Sequence, residues 1–306
     1  MEIVRVCGTD VPVSAESTVL ALGFFDGVHA GHAALLARVR QEAEARGALP
    51  AVCSFAQDSG IKESSPRLMS EEERLEAFRR AGMRRVYLLD FAAVRDMSPR
   101  AFCTDVLVSA MHCTAAVCGY NFRFGRGGAG DARALSALLS AQGVDTVILP
   151  PVTHGGGEIS SSAIRAAAEA GDIERARALL GHPLSLTGEV VRGKALGRRI
   201  GYPTANLVLP KNALLPARGV YAVRAQLGDG RTYAALANVG VRPTVEDHAA
   251  PNCEVHLFDF AGDLYGKTLT VYFEHRLRGE QKFDSIEALS RQIVEDEAKA
   301  KEYFHE

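Results

Sequence analysis

Short apolar runs alternate with longer amphipathic segments through the first 180 residues of the chain. The runs that predict β-strands lie at 19–22, 51–55, 86–91, 115–120 and 146–149. Helix start signals stand between them: Ser70 with Glu73 as a capping box, Ser98 before Pro99, and Asp131 ahead of an apolar run that stops at Gly143. This alternation predicts a parallel sheet covered by helices, a Rossmann-like α/β layer.

In the second half of the chain, apolar residues recur with a period of two. The runs at 219–227, 231–239, 254–260 and 268–273 are separated by turn residues. Several short strands at this spacing predict an all-β barrel or sandwich. One long helix over 285–303 follows them, and Asp284 and Glu287 are predicted as its cap.

The composition is that of a globular protein that acts on small molecules. At 306 residues the chain is long enough for two domains, and the change of pattern predicts domains at 1–182 and 183–306. Hydrophobic residues make up 47% and the formal net charge is −2, so we expect no nucleic-acid partner, which would usually need a basic surface. No apolar run reaches membrane-spanning length, and the first residues lack a signal-peptide pattern, so no membrane partner is expected.

The six cysteines form no C-x-x-C pair and mostly fall within apolar runs. This usage predicts buried free thiols and a reducing compartment. We therefore expect the protein in the cytoplasm. The sequence does not fix its oligomeric state.

The ten residues from Gly23 to His32, GFFDGVHAGH, carry the strongest chemical signal in the chain. They follow a predicted strand and open a predicted helix, and their glycines let a ligand approach the backbone closely. The first-turn N–H groups of a helix attract polyphosphate, and His29 and His32 can donate to phosphate oxygens. The pattern predicts a phosphate site, with a glycine turn that carries two solvated histidines as the alternative. A zinc site is not favoured, because no Cys or Glu stands at the companion spacing.

Two further clusters in the first half suit phosphate. Asn121, Arg123 and Arg126 follow a predicted strand in the segment GYNFRFGR, and a guanidinium can bind phosphate through two parallel hydrogen bonds. The segment ISSSAIR at 159–165 begins a predicted helix with hydroxyls and ends on Arg165. Taken alone, one arginine of the first cluster could be a surface charge, and the second cluster could be a serine N-cap before an ordinary helix.

A glycine-dense stretch at 188–198 leads to the segment GYPTAN at 201–206. Thr204 and Asn206 supply hard oxygen ligands, which suit a Mg²⁺ ion that shares its shell with substrate phosphates. The Walker pattern G-x-x-x-x-G-K-[ST] is absent from the chain, so this is not a P-loop. The alternative is a β-turn built on Pro203, which leaves the density of glycines unexplained.

These motifs, in this order, resemble those of the bacterial bifunctional riboflavin kinase/FAD synthetase family over nearly the whole chain. GFFDGVHAGH, GYNFRFG and ISSSAIR match three motif regions of its N-terminal nucleotidylyltransferase module. Matches to its C-terminal kinase module are GRRIGYPTAN, NVGVRPT at 238–244, EVHLFDF at 254–260, DLYG at 263–266 and LRGEQKFDS at 277–285. The resemblance implies a Rossmann-like nucleotidylyltransferase domain, then a small riboflavin-kinase-like β-barrel with a C-terminal helix.

The resemblance also implies a two-step activity. Riboflavin and ATP give FMN in the second domain, and FMN and ATP give FAD and pyrophosphate in the first domain, with Mg²⁺ required in both steps. It implies that His29 and His32 bind the ATP phosphates during adenylyl transfer, and that Glu254 takes the proton from the ribityl 5′-hydroxyl. Without the resemblance, Glu254 would be interpreted as an exposed strand carboxylate.

The remaining site residues follow from the same motifs. For binding of ATP or FMN in the first domain they are Gly23, Phe24, Phe25, Asp26, Gly31, Asn121, Arg123, Ser161, Ser162 and Arg165. For binding of ATP or flavin in the second domain they are Gly193, Lys194, Gly197, Arg198, Pro203, Arg278, Glu280 and Phe283. Thr204 and Asn206 would sit on Mg²⁺–ATP.

All departures from the family pattern lie in the first half. They are the turn at 56–60, which lacks the usual Pro and His, Ser162 in place of Thr, Asn121 where many relatives have Asp, and 126–130, which lacks a second basic residue. Two alternatives therefore stay open: a riboflavin kinase whose adenylyltransferase half is impaired, and a flavin-binding protein without turnover. A nucleotidylyltransferase for pantetheine phosphate or glycerol phosphate would explain the first domain alone.

Overall fold

A computed structural model describes residues 1–6, 12–56, 65–193, 197, 201–242 and 250–305. The chain forms two compact units. The first contains residues 1–65 and 70–160, and the second contains residues 66–69 and 161–306. The segment 161–180 therefore packs with the second unit, whereas the sequence pattern predicts a domain boundary at residue 182.

The first unit is built on a six-stranded sheet. The strands of the unit are β1 (Glu2–Val6), β2 (Thr18–Leu22), β3 (Leu49–Phe55), β4 (Arg85–Leu89), β5 (Cys113–Gly119), β6 (Arg123–Phe124), β7 (Gly130–Asp131), β8 (Asp145–Leu149), β9 (Thr153–His154) and β10 (Gly157–Glu158). The sheet order is β1-β4-β3-β2-β5-β8 and every pairing is parallel, which confirms the predicted class. The pairs β6–β7 and β9–β10 are short antiparallel hairpins beside this sheet.

Helices connect these strands. They are α1 (Ala30–Arg46), α2 (Glu71–Arg80), α3 (Phe91–Val94), α4 (Pro99–Ala101), which continues as a π-helical segment (Phe102–Ala110), and α5 (Ala132–Ser140). The capping box is confirmed, because Ser70 Oγ accepts from the N–H of Glu73 while the Glu73 carboxylate accepts from the N–H of Ser70. Ser98 and Asp131 also cap helices as predicted. The strand predicted at 86–91 ends at Leu89. Phe91 is the first residue of α3, because the Asp90 carboxylate caps that helix.

The strand order places a crevice beside β2. The chain runs from β2 outward through β3 to β4, and then returns to the other side of β2 with β5. In an open parallel sheet, ligands bind at the carboxyl ends of the strands where the order reverses in this way. The GFFDGVHAGH loop follows β2 and the GYNFRFG segment begins at the end of β5, so both predicted clusters lie at this edge of the sheet.

The second unit contains a closed six-stranded barrel, as predicted. Its strands are β11 (Leu184–Val191), β12 (Ala205–Val208), β13 (Gly219–Leu227), β14 (Thr232–Arg242), β15 (Ala250–Leu257) and β16 (Thr268–Gly279). The order around the barrel is β11-β12-β15-β14-β13-β16, and all pairings are antiparallel. Sequence analysis did not predict β11 and β12, because their glycine- and proline-rich surroundings are typical of turns.

Within the part of the second unit that the structure describes, three helices accompany the barrel: α6 (Ser161–Ala170), α7 (Ile173–Leu180) and α8 (Ile286–His305). Helix α8 packs on the outer face of the barrel, where Ala300 joins a buried cluster with Val220 and Leu236. The predicted cap of this helix needs one correction. Ser285 Oγ, not Asp284, accepts from the N–H of Ala288, because Ser285 is the residue directly before the first helical turn.

Candidate active sites

The GFFDGVHAGH loop ends in the N-terminus of α1. His29 is the N-cap of that helix, and its Nδ1 accepts a 3.3 Å hydrogen bond from the backbone N–H of His32. The two imidazole rings stack, with centroids 3.6 Å apart and planes 16° from parallel. His29 is only 7% exposed and His32 is half-buried. The structure thus brings the two predicted histidines together at a helix N-terminus, where N–H groups and the helix dipole favour an anion.

Close packing within the loop explains two of its glycines. A Cβ atom on Gly31 would lie 3.2 Å from Nδ1 of His29, and one on Gly23 would lie 3.2 Å from the ring of Phe25. Phe25 has a positive φ of 60°, which is rare for a bulky residue and requires support from its surroundings. Its ring is 1% exposed and packs edge-on against Phe78 of α2, so that ring supports the loop from within the core.

A cavity of about 440 Å³ lies at the carboxyl ends of β2, β3 and β5. Five phenylalanines line it: Phe55, Phe91, Phe102, Phe122 and Phe124. Gly23 and Cys53 form part of its floor, and Arg123 and Arg126 stand at exposed positions of its wall. Sequence reasoning missed this cavity, because its phenylalanines come from four separate segments that only the fold brings together.

The GYNFRFG segment forms one wall of this aromatic cavity through β6 and the glycines that follow. A Cβ atom on Gly130 would lie 2.5 Å from the ring of Phe124, and one on Gly125 would lie 2.8 Å from Pro99. Gly130 therefore allows Phe124 to lie buried in the cavity wall, and Gly125 allows the segment to pass close to Pro99. Asn121 is exposed, and its Oδ1 would lie 3.2 Å from a Cβ atom on Gly119.

The ISSSAIR segment lies at the end of the first unit and the start of α6. Its first residue, Ile159, donates to the carbonyl of Val152, and Val152 Cβ would lie 3.9 Å from a Cβ atom on Gly31. Ser161 and Ser162 begin α6, and Ser162 is exposed. The Arg165 guanidinium donates from Nε to the carbonyl of Pro66 at 2.7 Å.

A larger cavity of about 580 Å³ lies on the outer face of the barrel, beneath α8. Glu254 of β15 lines it, as do Thr204, at the start of β12, and Asn238 of β14. Glu254 pairs in register with Asn206 on one neighbouring strand and with Asn238 on the other. Paired residues in an antiparallel sheet face the same side, so the predicted base and one predicted metal ligand share one face of the barrel.

Among the described residues, Asn252 and Thr204 lie within hydrogen-bonding distance of the Glu254 carboxylate. Its Oε1 accepts a 2.8 Å hydrogen bond from the amide of Asn252, and its Oε2 lies 3.5 Å from the hydroxyl of Thr204. Asn252 is buried and was missed by sequence reasoning. The only signal for it was a polar residue two positions before Glu254, on the same face of the strand.

Glycines also lie against the predicted metal ligands. A Cβ atom on Gly193 would lie 2.5 Å from the amide nitrogen of Asn206, and one on Gly197 would lie 2.2 Å from the carbonyl oxygen of Tyr202. Only glycine fits at either position without a shift of the backbone or of the amide. Pro203 contributes its carbonyl, which lies 2.8 Å from Nδ1 of His256. Lys194 and Arg198, also predicted here, lie outside the described residues, as does Thr244 of the NVGVRPT segment.

The predicted flavin-side residues also line the larger cavity. Arg278, Glu280 and Phe283 all belong to its lining. The Arg278 guanidinium binds Asp296 of α8 through Nε and Nη2, at 2.9 and 2.8 Å, and its carbon lies 5.6 Å from the ring centre of Phe283. Asp296 is 1% exposed, so this ion pair ties α8 to β16 and forms one wall of the cavity. Sequence reasoning did not identify Asp296.

Elsewhere the described residues offer little metal-binding or reactive chemistry. Among them no three His, Cys, Asp or Glu side chains cluster as a metal site, and none of their helices is long and apolar enough to cross a membrane. The five described cysteines are free and buried, as predicted, and Cys7 lies outside this part of the chain. Burial raises the pKa of the Cys53 thiol to about 12 and that of Cys103 to about 11. These thiols are therefore protonated and unreactive at neutral pH.

Comparison with known families covers both units. A family model described as FAD synthetase matches residues 11–163, and one described as riboflavin kinase matches residues 180–304. Curated proteins named bifunctional riboflavin kinase/FMN adenylyltransferase are similar over almost their full length. The protein from Bacillus subtilis is 35% identical over 94% of this chain and 92% of its own, and the one from Pseudomonas fluorescens is 37% identical over 92% of each.

A solved structure has the same fold. The crystal structure of a protein described as a macrolide-efflux protein from Streptococcus pneumoniae superposes with a TM-score of 0.87 and is 33% identical. The match covers 98% of this chain and 99% of that protein. A parallel-sheet unit and a barrel unit therefore occur together in one chain in an experimental structure as well.

Proposed function

The chain belongs to the bifunctional riboflavin kinase/FMN adenylyltransferase family, and from this membership we propose how its residues divide the two reactions. The enzyme phosphorylates riboflavin with ATP to give FMN, and it transfers the adenylyl group of ATP to FMN to give FAD. We assign the first reaction to residues 183–306 and the second to residues 1–182. This assignment follows the change of sequence pattern. The FAD synthetase model ends at residue 163 and the riboflavin kinase model begins at residue 180.

In the kinase reaction, Glu254 is the general base. The ribityl 5′-hydroxyl is a poor nucleophile while it holds its proton, so a carboxylate beside it accelerates attack on the γ-phosphorus of ATP. The amide of Asn252 holds one carboxylate oxygen, and the second oxygen lies beside Thr204. We assign proton abstraction to this second oxygen, since the Asn252 amide already occupies the first.

The donor set beside Glu254 fits a magnesium ion. Thr204 offers a hydroxyl and Asn206 an amide oxygen, both hard oxygen donors, and Gly193 leaves the backbone free to pass close to Asn206. Two protein ligands suit Mg²⁺, which usually keeps several waters and phosphate oxygens in its shell. When bound there, the ion neutralises charge on the ATP phosphates. Thr204 and Asn206 then fix the position of the triphosphate relative to Glu254.

The larger cavity suits a flavin. Its volume of about 580 Å³ falls within the range of small-molecule sites, and Val220, Leu236 and Leu289 give it an apolar wall. We place the isoalloxazine ring on this wall, with Glu280 and Phe283 beside it. Arg278 and its partner Asp296 form the neighbouring part of the cavity wall, which limits where the ring can lie.

In the adenylyl-transfer reaction, His29 and His32 bind the phosphates of ATP. The FMN phosphate is already an anion, so it can attack the α-phosphorus in line without a side-chain base. Catalysis then depends on position and on neutralising the charge that develops on the leaving pyrophosphate. Imidazole N–H groups and the N–H groups at the start of α1 supply that neutralisation. The loop around the phosphates is shaped by the backbone from Gly23 to Asp26 and by Gly31.

The aromatic cavity of the first unit suits the flavin of FMN. Its phenylalanines can stack on an isoalloxazine ring, and Arg123 stands at its exposed edge, where it can meet the FMN phosphate. Asn121, Ser161, Ser162 and Arg165 keep the substrate-holding roles that the family motifs imply. We also propose that both reactions use Mg²⁺ and take place in the cytoplasm, where five buried free thiols would remain reduced.

One observation carries the proposal: each unit has a cavity large enough for a small-molecule substrate. Thr204, Glu254, Arg278, Glu280 and Phe283 line the cavity of the second unit, and Gly23 and Arg123 line that of the first. The test is a chromatographic time course of the purified protein with riboflavin, ATP and Mg²⁺, in which FMN and FAD are followed separately. We expect FMN to appear before FAD, and both to vanish when a chelator replaces Mg²⁺. Accumulation of FMN alone would contradict the proposed adenylyl-transfer site, and absence of both products would contradict catalysis as a whole.

A further inference from the structure

Helix α2 carries a buried arginine that the roles above do not use. Arg74 is 3% exposed and lies on the same face of α2 as the buried Phe78. A guanidinium keeps its charge at every physiological pH, so it is almost never buried without hydrogen-bond partners. In the sequence EEERLEAF, Arg74 is a charged residue four positions before Phe78, on the face of the helix that is otherwise apolar.

Two backbone carbonyls at the edge of the aromatic cavity accept hydrogen bonds from Arg74, whose Nη2 also lies 3.7 Å from the carboxylate of Glu71 on the same helix. Nη1 of Arg74 donates to the carbonyl of Phe24 at 2.8 Å, and its Nη2 donates to the carbonyl of Phe55 at 2.7 Å. Ser54 supports the same group, because its hydroxyl donates to the Phe24 carbonyl at 3.1 Å and lies 3.3 Å from Nη1. One planar group thus joins the GFFDGVHAGH loop to the end of β3.

This junction fixes the loop at its least favourable point. A trans peptide is planar, so holding the carbonyl of Phe24 also fixes the N–H of Phe25 on the opposite side. Phe25 has a φ of 60°, a conformation that persists only where neighbours enforce it. Its ring contacts Phe78 of α2 at 5.5 Å and His32 at 5.1 Å between ring centroids. Helix α2 therefore supports the histidine loop in two ways. Arg74 donates a hydrogen bond to the carbonyl of Phe24, and Phe78 packs against Phe25, whose ring contacts His32.

We propose that Arg74 is a positioning residue for adenylyl transfer, which holds the loop between β2 and α1 in the form that presents His29 and His32 to the phosphates of ATP. The inference rests on the proposed role of those histidines. An arginine is required because its planar fork reaches two carbonyls at once, and its carbon lies 5.2 Å from the ring centre of Phe24. The ammonium of a lysine is a single point donor and cannot reproduce that bridge.

The test is steady-state kinetics of Arg74→Lys, with FAD formation from supplied FMN and FMN formation from riboflavin measured on the same protein. The kinase reaction of the second unit serves as an internal measure of enzyme concentration, and the helical circular dichroism of the variant reports on folding. Arg79→Lys is the matched control, since Arg79 lies on the same helix with 53% of its side chain exposed and pairs with Glu76. We expect kcat for FAD formation to fall about 10- to 100-fold, as small misplacements of reacting groups do, while KM for ATP and for FMN changes less than about threefold. Kinase activity and the control variant should match the wild type.

Two results would overturn the proposal: a folded Arg74→Lys protein with wild-type kcat, or a rise in KM for FMN with kcat unchanged. Should Arg74→Lys lose its helical circular dichroism, Ser54→Ala decides the matter, because it removes a donor to the same Phe24 carbonyl and an acceptor of Arg74 without a substitution in α2. A lowered kcat for FAD formation in Ser54→Ala supports the proposal, and a wild-type kcat overturns it. His29→Ala is run in parallel. If that variant kept full FAD formation, the proposed role of the histidines would fail independently of the Arg74 result.

Discussion

The amide of Asn252 donates a 2.8 Å hydrogen bond to the carboxylate of Glu254, two residues further along the same strand. The buried amide fixes the rotation of the carboxylate and leaves its second oxygen beside Thr204. Residues at i and i+2 of a strand face the same side, so this support is provided by β15 itself. The proposed base of the kinase reaction is thereby oriented before substrate binds.

Replacement of Glu254 should separate the two activities. Glu254→Gln keeps the shape of the side chain but cannot accept the hydroxyl proton, so we expect the kinase kcat to fall by about 10²- to 10⁴-fold. FAD formation from supplied FMN should be unchanged in the same protein. Loss of both activities in a protein that remains folded would contradict independent sites.

Loss of the Asn252 amide should weaken the kinase without abolishing it. A hydrogen bond to a charged group is worth about 1.5–3 kcal/mol, so we expect Asn252→Ala to lower the kinase kcat by at least about tenfold. KM for riboflavin should stay close to that of the wild type, because Asn252 acts on the carboxylate and not on the flavin. An unchanged kcat would show that Thr204 and the strand orient Glu254 sufficiently.

Replacement of His29 should remove FAD formation while FMN formation persists. The imidazole has two tasks, because its Nδ1 also caps α1, and loss of an N-cap costs about 1 kcal/mol. His29→Asn retains a capping oxygen but loses the imidazole, whereas His29→Ala loses both. We expect FAD formation to fall by at least about 10²-fold in each variant, with the melting temperature lowered only in His29→Ala. Recovery of activity in His29→Asn would assign the histidine to capping alone.

A methyl group at position 193 should weaken the use of Mg²⁺. The new Cβ atom of Gly193→Ala would meet the Asn206 amide at 2.5 Å and must displace it. We expect the kinase to require at least about tenfold more Mg²⁺ for half-maximal rate, with partial recovery at saturating Mg²⁺. Gly228→Ala is the matched control, since its Cβ atom would have nothing within 4 Å. Equal Mg²⁺ titrations for the two variants would remove Asn206 from the proposed metal site.

Burial of the cysteines predicts how their thiols react with a modifying reagent and how the stability of the protein changes with pH. The pKa values of Cys53, Cys113, Cys118 and Cys253 are raised to about 12 by burial, and burial raises that of Cys103 to about 11, against 9.0 for a free thiol. At pH 8 a thiol reagent should therefore modify at most one of the six cysteines in the native protein, and all six in denaturant. Prompt modification of two or more in the native protein would contradict this burial.

The same shifts fix the sign of the stability change. Because the folded state holds these protons more tightly, their contribution is fully present below pH 9 and is lost as the pH rises toward 12. Each thiol lowers the free energy of unfolding by up to about 1.4 kcal/mol per pH unit in that range. Urea unfolding at pH 8 and pH 10 measures the change.

Sequence patterns predicted the parts of the fold that depend on neighbouring residues. The strand β2, the glycine loop and the start of α1 are contiguous, so periodicity and the two histidines were enough to locate them. The cap of α8 was predicted one residue early, because Asp284 and Ser285 are both good caps and only backbone geometry distinguishes them.

Other site features could not be predicted because tertiary contacts create them. Arg74 serves the loop after β2 from a helix some fifty residues further on, and no spacing rule connects it to Phe24. Asp296 meets Arg278 only because α8 folds back on the barrel. The aromatic cavity likewise draws its phenylalanines from segments that are each explained locally as ordinary core.

The alternation along β15 places residues that stabilise the barrel and residues that face the cavity on opposite sides of one strand. Cys253 and Val255 are fully buried, while Glu254 and His256 line the cavity on the other side of the same strand. A library that varies cavity-facing positions while keeping Glu254 would change which flavin analogues are accepted at the proposed site and leave the thermal tolerance of the barrel largely intact. A library restricted to the buried positions would do the reverse, so robustness and substrate preference can be evolved in separate rounds.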